Sequence, residues 1–291
     1  MSGLLAGIEA GGTKFVLGIG TSPEAVTARH VIATRNPETT LDEAVRWLSS
    51  QGDIAALGIG SFGPVERDPA RPRWGQILDT PKPGWAGCDI AGWFAERMEV
   101  PVGFDTDVTA AALAEYRYGA GRGKASLAYV TIGTGIGGSI MVDGRPLAGA
   151  GHLEMGHYYP QRTDSGGRFE GVCPYHGDCL EGLVSGPAIE RRWGASLSEL
   201  PADHEAHAIV AGYLAQLCHA ISAFGAPEVI VLGGGVMKSP GLLKQVREAS
   251  ERIEGGYFPG RERRSIVSPA LGEDAGIVGA LTLAEEAMHG K

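Results

Sequence analysis

Three groups of residues have the types and spacing to do chemistry. Asp105 and Asp107 close the apolar run Val102–Phe104 and lead into Val108–Tyr118, which is helical by its alanine content. A carboxylate at a strand's carboxyl end can take a proton from a hydroxyl whose oxygen attacks phosphorus. The same position also suits a helix cap, since Asp and Thr satisfy the first orphan N–H groups of a helix. The second group is a pair of glycine turns, Ile8-Glu-Ala-Gly-Gly-Thr-Lys14 and Ile132-Gly-Thr-Gly-Ile-Gly-Gly138. Each lies between two strand-like runs and is therefore a hairpin tip. Its backbone N–H groups, with donors from Thr13, Lys14 and Thr134, can clasp phosphate oxygens, although a simple tight turn would look the same.

The third group is Cys173-Pro-Tyr-His176-Gly-Asp-Cys179, a C-x2-H-x2-C knuckle that can wrap one tetrahedral zinc ion. His157 is the best fourth ligand and His152 the reserve; a Cys173–Cys179 disulfide is the rival. Four protein ligands make a closed, structural site that orders its loop and does not activate water. His152-Leu-Glu154 is similar to the H-x-E of zinc deaminases. Those sites continue P-C-x-x-C, and here Val172 and His176 break that pattern. Glu154 and Glu181 bracket the knuckle, where they either hold sugar hydroxyls or simply face solvent.

The elements that must position these groups form two parts. Leu4–Glu9, Phe15–Ile19 and Ala25–Thr34 predict an antiparallel meander, followed by a helix over Leu41–Leu48 and an apolar strand, Ile54–Gly60. A Pro- and Trp-rich excursion runs through Trp85 before the Val102–Phe104 strand. After Gly119-Ala-Gly-Arg-Gly123, a hinge candidate, the pattern restarts with Ser126–Ile132 and Ser139–Val142. A polar insertion, Gly151–Gly182, precedes helices at Glu205–Phe224 and Leu242–Arg252 and a buried strand, Val229–Leu232. That strand ends in Gly233-Gly-Gly235, a backbone able to pass under an adenine ring or merely to connect strand to helix. The expected division is 1–118, 119–275, and a closing helix within 276–291 that packs back across both lobes.

Gly133, Gly135 and Gly138 satisfy G-x-G-x-x-G by count, but no helix follows them, so a dinucleotide site is excluded; no G-x-x-x-x-G-K-[ST] occurs. The net charge of -9 leaves no basic surplus for nucleic acid. The uncharged run 125–142 has eight Gly, Ser or Thr among eighteen residues and reads as two strands rather than a membrane span. Four cysteines make no disulfide framework, and no signal peptide precedes Glu9 and Gly11, so the expectation is a mature chain from Met1 in the reducing cytoplasm. Glycine, 46 of 291 residues, is about twice as frequent as the ~7% average, so close backbone approaches must be common.

Across nearly its whole length the chain resembles the ROK family of bacterial sugar kinases, most closely the fructokinase branch. The resemblance rests on Gly7–Lys14, Gly60-Ser-Phe-Gly-Pro64, Thr80–Trp85, Asp105–Asp107, Gly133–Gly138, Glu154–His157, Cys173–Glu181 and Leu232–Gly235. It implies an α/β, actin-like ATPase fold of two ribonuclease-H-like lobes around a cleft, with a zinc-binding insertion in the second. It also implies ATP-dependent phosphorylation of a hexose, fructose first, with mannose, glucose or a broader range as the alternative.

Carried over by position, Asp107 is the base. Gly11, Gly12, Thr13 and Lys14 form one phosphate loop, Thr131, Gly133 and Thr134 the other, and Gly233, Gly234 and Gly235 the adenosine segment. Gly63, Pro64, Asp105, Thr106, Glu154, His157 and Glu181 fall on sugar positions. His157, Cys173, His176 and Cys179 take zinc, and Glu9 takes magnesium through water. Three departures stand out: Glu9 replaces the usual Asp, Thr106 the usual Asn, and His176 a cysteine of the commoner loop. The family also contains repressors with a DNA-binding helix-turn-helix ahead of the kinase-like body, for which the first ten residues leave no room. A homodimer is implied, and neither nucleic acid nor membrane is an expected partner.

Overall fold

In the computed structural model, which describes residues 3–162 and 169–290, alternating apolar runs become two mixed sheets, one in each of two units. Residues 163–168 of the expected insertion, with residues 1, 2 and 291 at the chain ends, lie outside the described residues.

The first unit begins with the antiparallel meander β1 (Leu4–Ala10), β2 (Lys14–Gly20) and β3 (Val26–Ala33), then α1 (Pro37–Ser49) and β4 (Ile54–Ser61). Helix α2 (Ile90–Met98), strand β5 (Val102–Thr106) and helix α3 (Asp107–Tyr118) follow. The sheet order is β3-β2-β1-β4-β5, with β1, β4 and β5 parallel. The Trp-rich excursion is anchored by Trp85. Its ring is fully buried against Phe15 and Phe62, and its Nε1–H donates to the Arg35 carbonyl at 2.8 Å.

The second unit repeats the plan with β6 (Ser126–Ile132) and β7 (Ile136–Val142) as an antiparallel hairpin. Residues Arg145–His152, with the two-residue strand β8 (Arg145–Pro146), belong to the first unit. Helices α4 (Leu180–Val184), α5 (Gly186–Trp193) and α6 (Glu205–Gly225) lead to β9 (Val229–Gly233), α7 (Leu242–Glu254) and β10 (Ser265–Val267). Strands β6, β9 and β10 are parallel. Among the described residues, α6 is the helix long and apolar enough to cross a membrane. Its Val210, Tyr213, Leu214, Leu217 and Ile221 are instead buried in this unit's core.

The first unit extends to Arg122 and regains the chain at Leu271. Glu115 ties both segments in: its fully buried carboxylate accepts the Ala120 and Leu271 N–H groups, each at 2.8 Å, and so stitches them to α3. The closing helix, α8 (Ala275–Met288), packs on β1, β4, β5 and α3 of the first unit.

The seat of α8 is a row of glycines. Gly18, Gly7, Gly58 and Gly103 stand side by side in register across β2, β1, β4 and β5. A Cβ on Gly58 would strike the Ala280 carbonyl, one on Gly103 the Leu283 carbonyl, and one on Gly7 would come within 3.1 Å of Leu281. On the other side, Gly279 of α8 lies against the Ala110 carbonyl of α3. The helix therefore rests on sheet backbone, at a separation no side chain would allow. Replacing Gly58 by Ala is expected to cost about 1–3 kcal/mol, because the obstructing atoms are backbone. Gly149→Ala, at an open exposed position, is expected to stay within about 0.5 kcal/mol. Denaturant midpoints of the two variants check this.

Candidate functional site

In the first unit the parallel register brings Ala10, Ser61 and Thr106 level, so the segments that follow β1, β4 and β5 leave from one carboxyl edge. Open α/β sheets bind ligands at that edge. After β1 comes the hairpin tip. The Gly11 N–H donates to the Lys14 carbonyl (3.0 Å), and the Thr34 hydroxyl donates to the Gly11 carbonyl (2.7 Å). Gly12, Thr13 and Lys14 are exposed, and Gly12 faces open space. Glu9 precedes the tip, with its carboxyl filling the space a side chain at Gly276 would need in the first turn of α8. Burial raises the Glu9 carboxyl above its ordinary range, against the opposing pull of Lys14 and Arg29. A carboxylate oxygen there is a hard donor of the kind magnesium prefers.

After β4 comes Gly63-Pro64, joined by a cis peptide bond, and His152 backs this loop by accepting the Val65 N–H on Nε2 (3.2 Å). After β5, Thr106 caps α3: its hydroxyl accepts the Thr109 N–H at 3.0 Å and donates to the Thr109 hydroxyl at 2.8 Å. Capping thus falls to Thr106. Asp107 becomes the first helical residue, and its Oδ1 accepts the Val108 N–H (2.8 Å), which orients the carboxylate. Asp105 is buried. Its Oδ1 accepts the Thr106 N–H (2.7 Å), and its Oδ2 pairs with the Arg67 guanidinium at 2.9 Å. Burial raises the Asp105 carboxyl, with Arg67 the largest opposing influence. Arg67 was not legible from the sequence, because a single Arg in a proline-rich excursion carries no signal.

In the second unit β6 and β9 run parallel with Thr131 beside Gly233, so both glycine segments again leave from carboxyl ends. Thr134 is exposed at the β6–β7 tip, where the Gly133 N–H donates to the Gly135 carbonyl (2.9 Å). Gly234 has φ +91°, and a Cβ there would collide with the Ile132 backbone, so only glycine fits; Gly235 is exposed beside it. Glu181, expected at the sugar, has its Oε2 on the Ile136 N–H at 2.8 Å, just past the tip.

His157, Cys173, His176 and Cys179 form a cluster whose ligand atoms all lie within 4.8 Å of one another. His157 Nδ1 is 3.3 Å from His176 Nδ1, 3.8 Å from Cys173 Sγ and 3.6 Å from Cys179 Sγ, and Cys173 Sγ is 3.7 Å from His176 Nδ1. Tetrahedral bonds of about 2.0–2.3 Å to nitrogen and sulfur give edges of roughly 3.3–3.8 Å, so these donors fit a four-coordinate ion of zinc type. All four cysteines are free thiols, so the Cys173–Cys179 disulfide is not formed. Burial holds the Cys179 thiol up at about 11, so metal binding must displace its proton. The other nitrogen of His157, Nε2, lies 3.8 Å from a Glu154 carboxylate oxygen, which lets one imidazole face a metal and a carboxylate at once. His152, the reserve ligand, is occupied at Val65 instead.

The model of the ROK family matches residues 5–287. This chain belongs to the ROK family. It is 45% identical to the fructokinase of Zymomonas mobilis, over 95% of each chain. Among solved structures of ROK proteins, the hexokinase of Thermus thermophilus superposes with a TM-score of 0.81 at 29% identity, covering 99% of this chain and all of that one. The glucokinase of Streptomyces griseus, in complex with glucose and AMPPNP, gives 0.78 at 26% identity, covering 98% of this chain and all of that one. The two mixed sheets are accordingly those of the α/β, actin-like ATPase fold.

Arg67→Ala in this ROK protein leaves a buried Asp105 carboxylate without its cation, at an expected cost of about 3–5 kcal/mol. Adding Asp105→Asn removes the orphaned charge and should recover much of the loss. Thermal denaturation of the single and double variants measures both.

Proposed function

We propose that the protein is an ATP-dependent hexose kinase that phosphorylates fructose to fructose 6-phosphate. The observation that carries this reading is the near-full-length 45% identity to a fructokinase, against 26–27% for glucokinases. Asp107, oriented at the first turn of α3, accepts the proton of the attacking sugar hydroxyl, and that oxygen bonds to the γ-phosphorus as the bond to ADP breaks. Gly63, Pro64, Asp105, Thr106, Glu154, His157 and Glu181 orient the sugar. The backbone of Gly11, Gly12 and Thr13 with Lys14, and that of Thr131, Gly133 and Thr134, donate to phosphate oxygens. Gly233–Gly235 lie along the adenosine.

Glu9 would hold magnesium through water, and the ion would supply charge neutralisation on the phosphates. Zinc on His157, Cys173, His176 and Cys179 orders the knuckle and takes no part at the reacting atoms. Dependence on ATP fits a cytoplasmic enzyme.

With ATP and magnesium, the ratio kcat/KM should be highest for fructose among fructose, mannose and glucose. A higher value for glucose would move the assignment to that sugar, and fructose binding without turnover would make the protein a sensor. Asp107→Ala should lower kcat by about 10²–10⁴ while fructose binding persists; unchanged turnover would remove Asp107 from the role of base. Native mass spectrometry should find a single zinc ion per chain, lost in Cys179→Ser, and a metal-free native protein would refute the zinc assignment.

A further inference from the structure

The segments that carry the metal ligands also grip the second glycine hairpin. Glu181 lies two residues after Cys179, in the first turn of α4, and its Oε2 accepts the Ile136 N–H at 2.8 Å. The same oxygen lies against Gly135, where it would be only 2.8 Å from an added Cβ. Past the far end of α4, the Gly186 N–H donates to the Gly133 carbonyl at 2.8 Å. On the strand side, Gly156 packs on the Ile136 carbonyl and Met155 on Gly138, immediately before the ligand His157. Gly133, Gly135 and Ile136, which shape this tip, are thus held by residues within seven positions of Cys179 or adjacent to His157.

We propose that Glu181 is a positioning residue for the hairpin's phosphate-binding backbone, and that the metal knuckle, by fixing Glu181, sets affinity for the nucleotide. The inference rests on the kinase reading, because it takes the 133–135 tip to hold nucleotide phosphates. A carboxylate beside a phosphate site repels the ligand, so it is an unfavourable neighbour unless it does structural work there. Here that work is the anchoring of an amide at the root of the tip. A residue serving only the sugar would leave nucleotide binding untouched when no sugar is present.

The test is calorimetric titration of the full-length, metal-loaded protein with magnesium and a non-hydrolysable ATP analogue, without sugar. Glu181→Ala removes the acceptor and should weaken binding about tenfold, the effect of losing one charge-assisted hydrogen bond. Glu181→Gln keeps a carbonyl acceptor and removes the repelling charge, so it should bind at least as tightly as the natural protein. Hydrogen exchange at the Ile136 amide should speed up in the Ala variant and stay slow in the Gln variant, a readout independent of ligand. Stripping the metal with a chelator should weaken analogue binding in the natural protein as well. Equal affinity in the natural protein and Glu181→Ala would overturn the role of Glu181, and unchanged affinity after metal loss would overturn the role of the knuckle. No binding of the analogue by the natural protein would instead overturn the kinase reading, and this inference with it.

Discussion

The contact between α8 and the first sheet governs the geometry around Asp107, the proposed base. Because Gly18, Gly7, Gly58 and Gly103 present no side chains, the helix descends onto strand backbone, and its own Gly279 lets α3 come equally close. Gly60 of β4 completes the arrangement, since a Cβ there would sit 2.9 Å from Ala110 Cβ and 3.3 Å from Asp107 Cα. Asp107 is thereby confined from the strand side through Gly60 and from the helix side through Ala110. The same descent brings Gly276 against the Glu9 carboxyl. Placement of two proposed functional carboxyls thus depends on residues that have no functional groups at all.

The two units use one plan with different supports. In each, an antiparallel hairpin carries a glycine tip, and parallel strands deliver further segments to the same carboxyl edge. In the first unit the tip is tied to β3 through Thr34, which donates its hydroxyl to Gly11 and its N–H to Thr13. In the second, the corresponding support comes from α4 and from the segment before His157. Burial supports that side too, through Leu180, Leu183 and Val184 of α4 and through Leu153, Met155 and Tyr158 packed on the same core, and the His/Cys cluster that could hold a tetrahedral ion stands beside it.

Much of this was legible in the sequence because it depends on local pattern. Alternating apolar runs located β1 to β6 and β9 within a few residues, and the cysteine spacing located the knuckle. What escaped depended on long-range pairing or on residues with weak local signals. The start of β7 at Ile136 was hidden by Gly137 and Gly138, which belong to the ladder only because Thr131 and Val130 pair with them. Helices α2, α4 and α5 are too short for a clear period. The ion pair of Arg67 with Asp105 and the hydrogen bond of His152 with Val65 join residues 38 and 87 positions apart, and composition carries no trace of either. Glu181 was found by position, but its bond to Ile136 is visible only in three dimensions.

The divided imidazole of His157 links two parts of the second unit electronically. Its Nδ1 faces the thiol cluster and its Nε2 faces Glu154. An imidazole is conjugated, so an ion that draws density from one nitrogen acidifies the proton on the other. An ion held by the cluster would therefore strengthen His157 as a donor on the side where Nε2 faces Glu154. Buried sulfur chemistry on one side of a single aromatic ring would in this way be felt as polarity on the other.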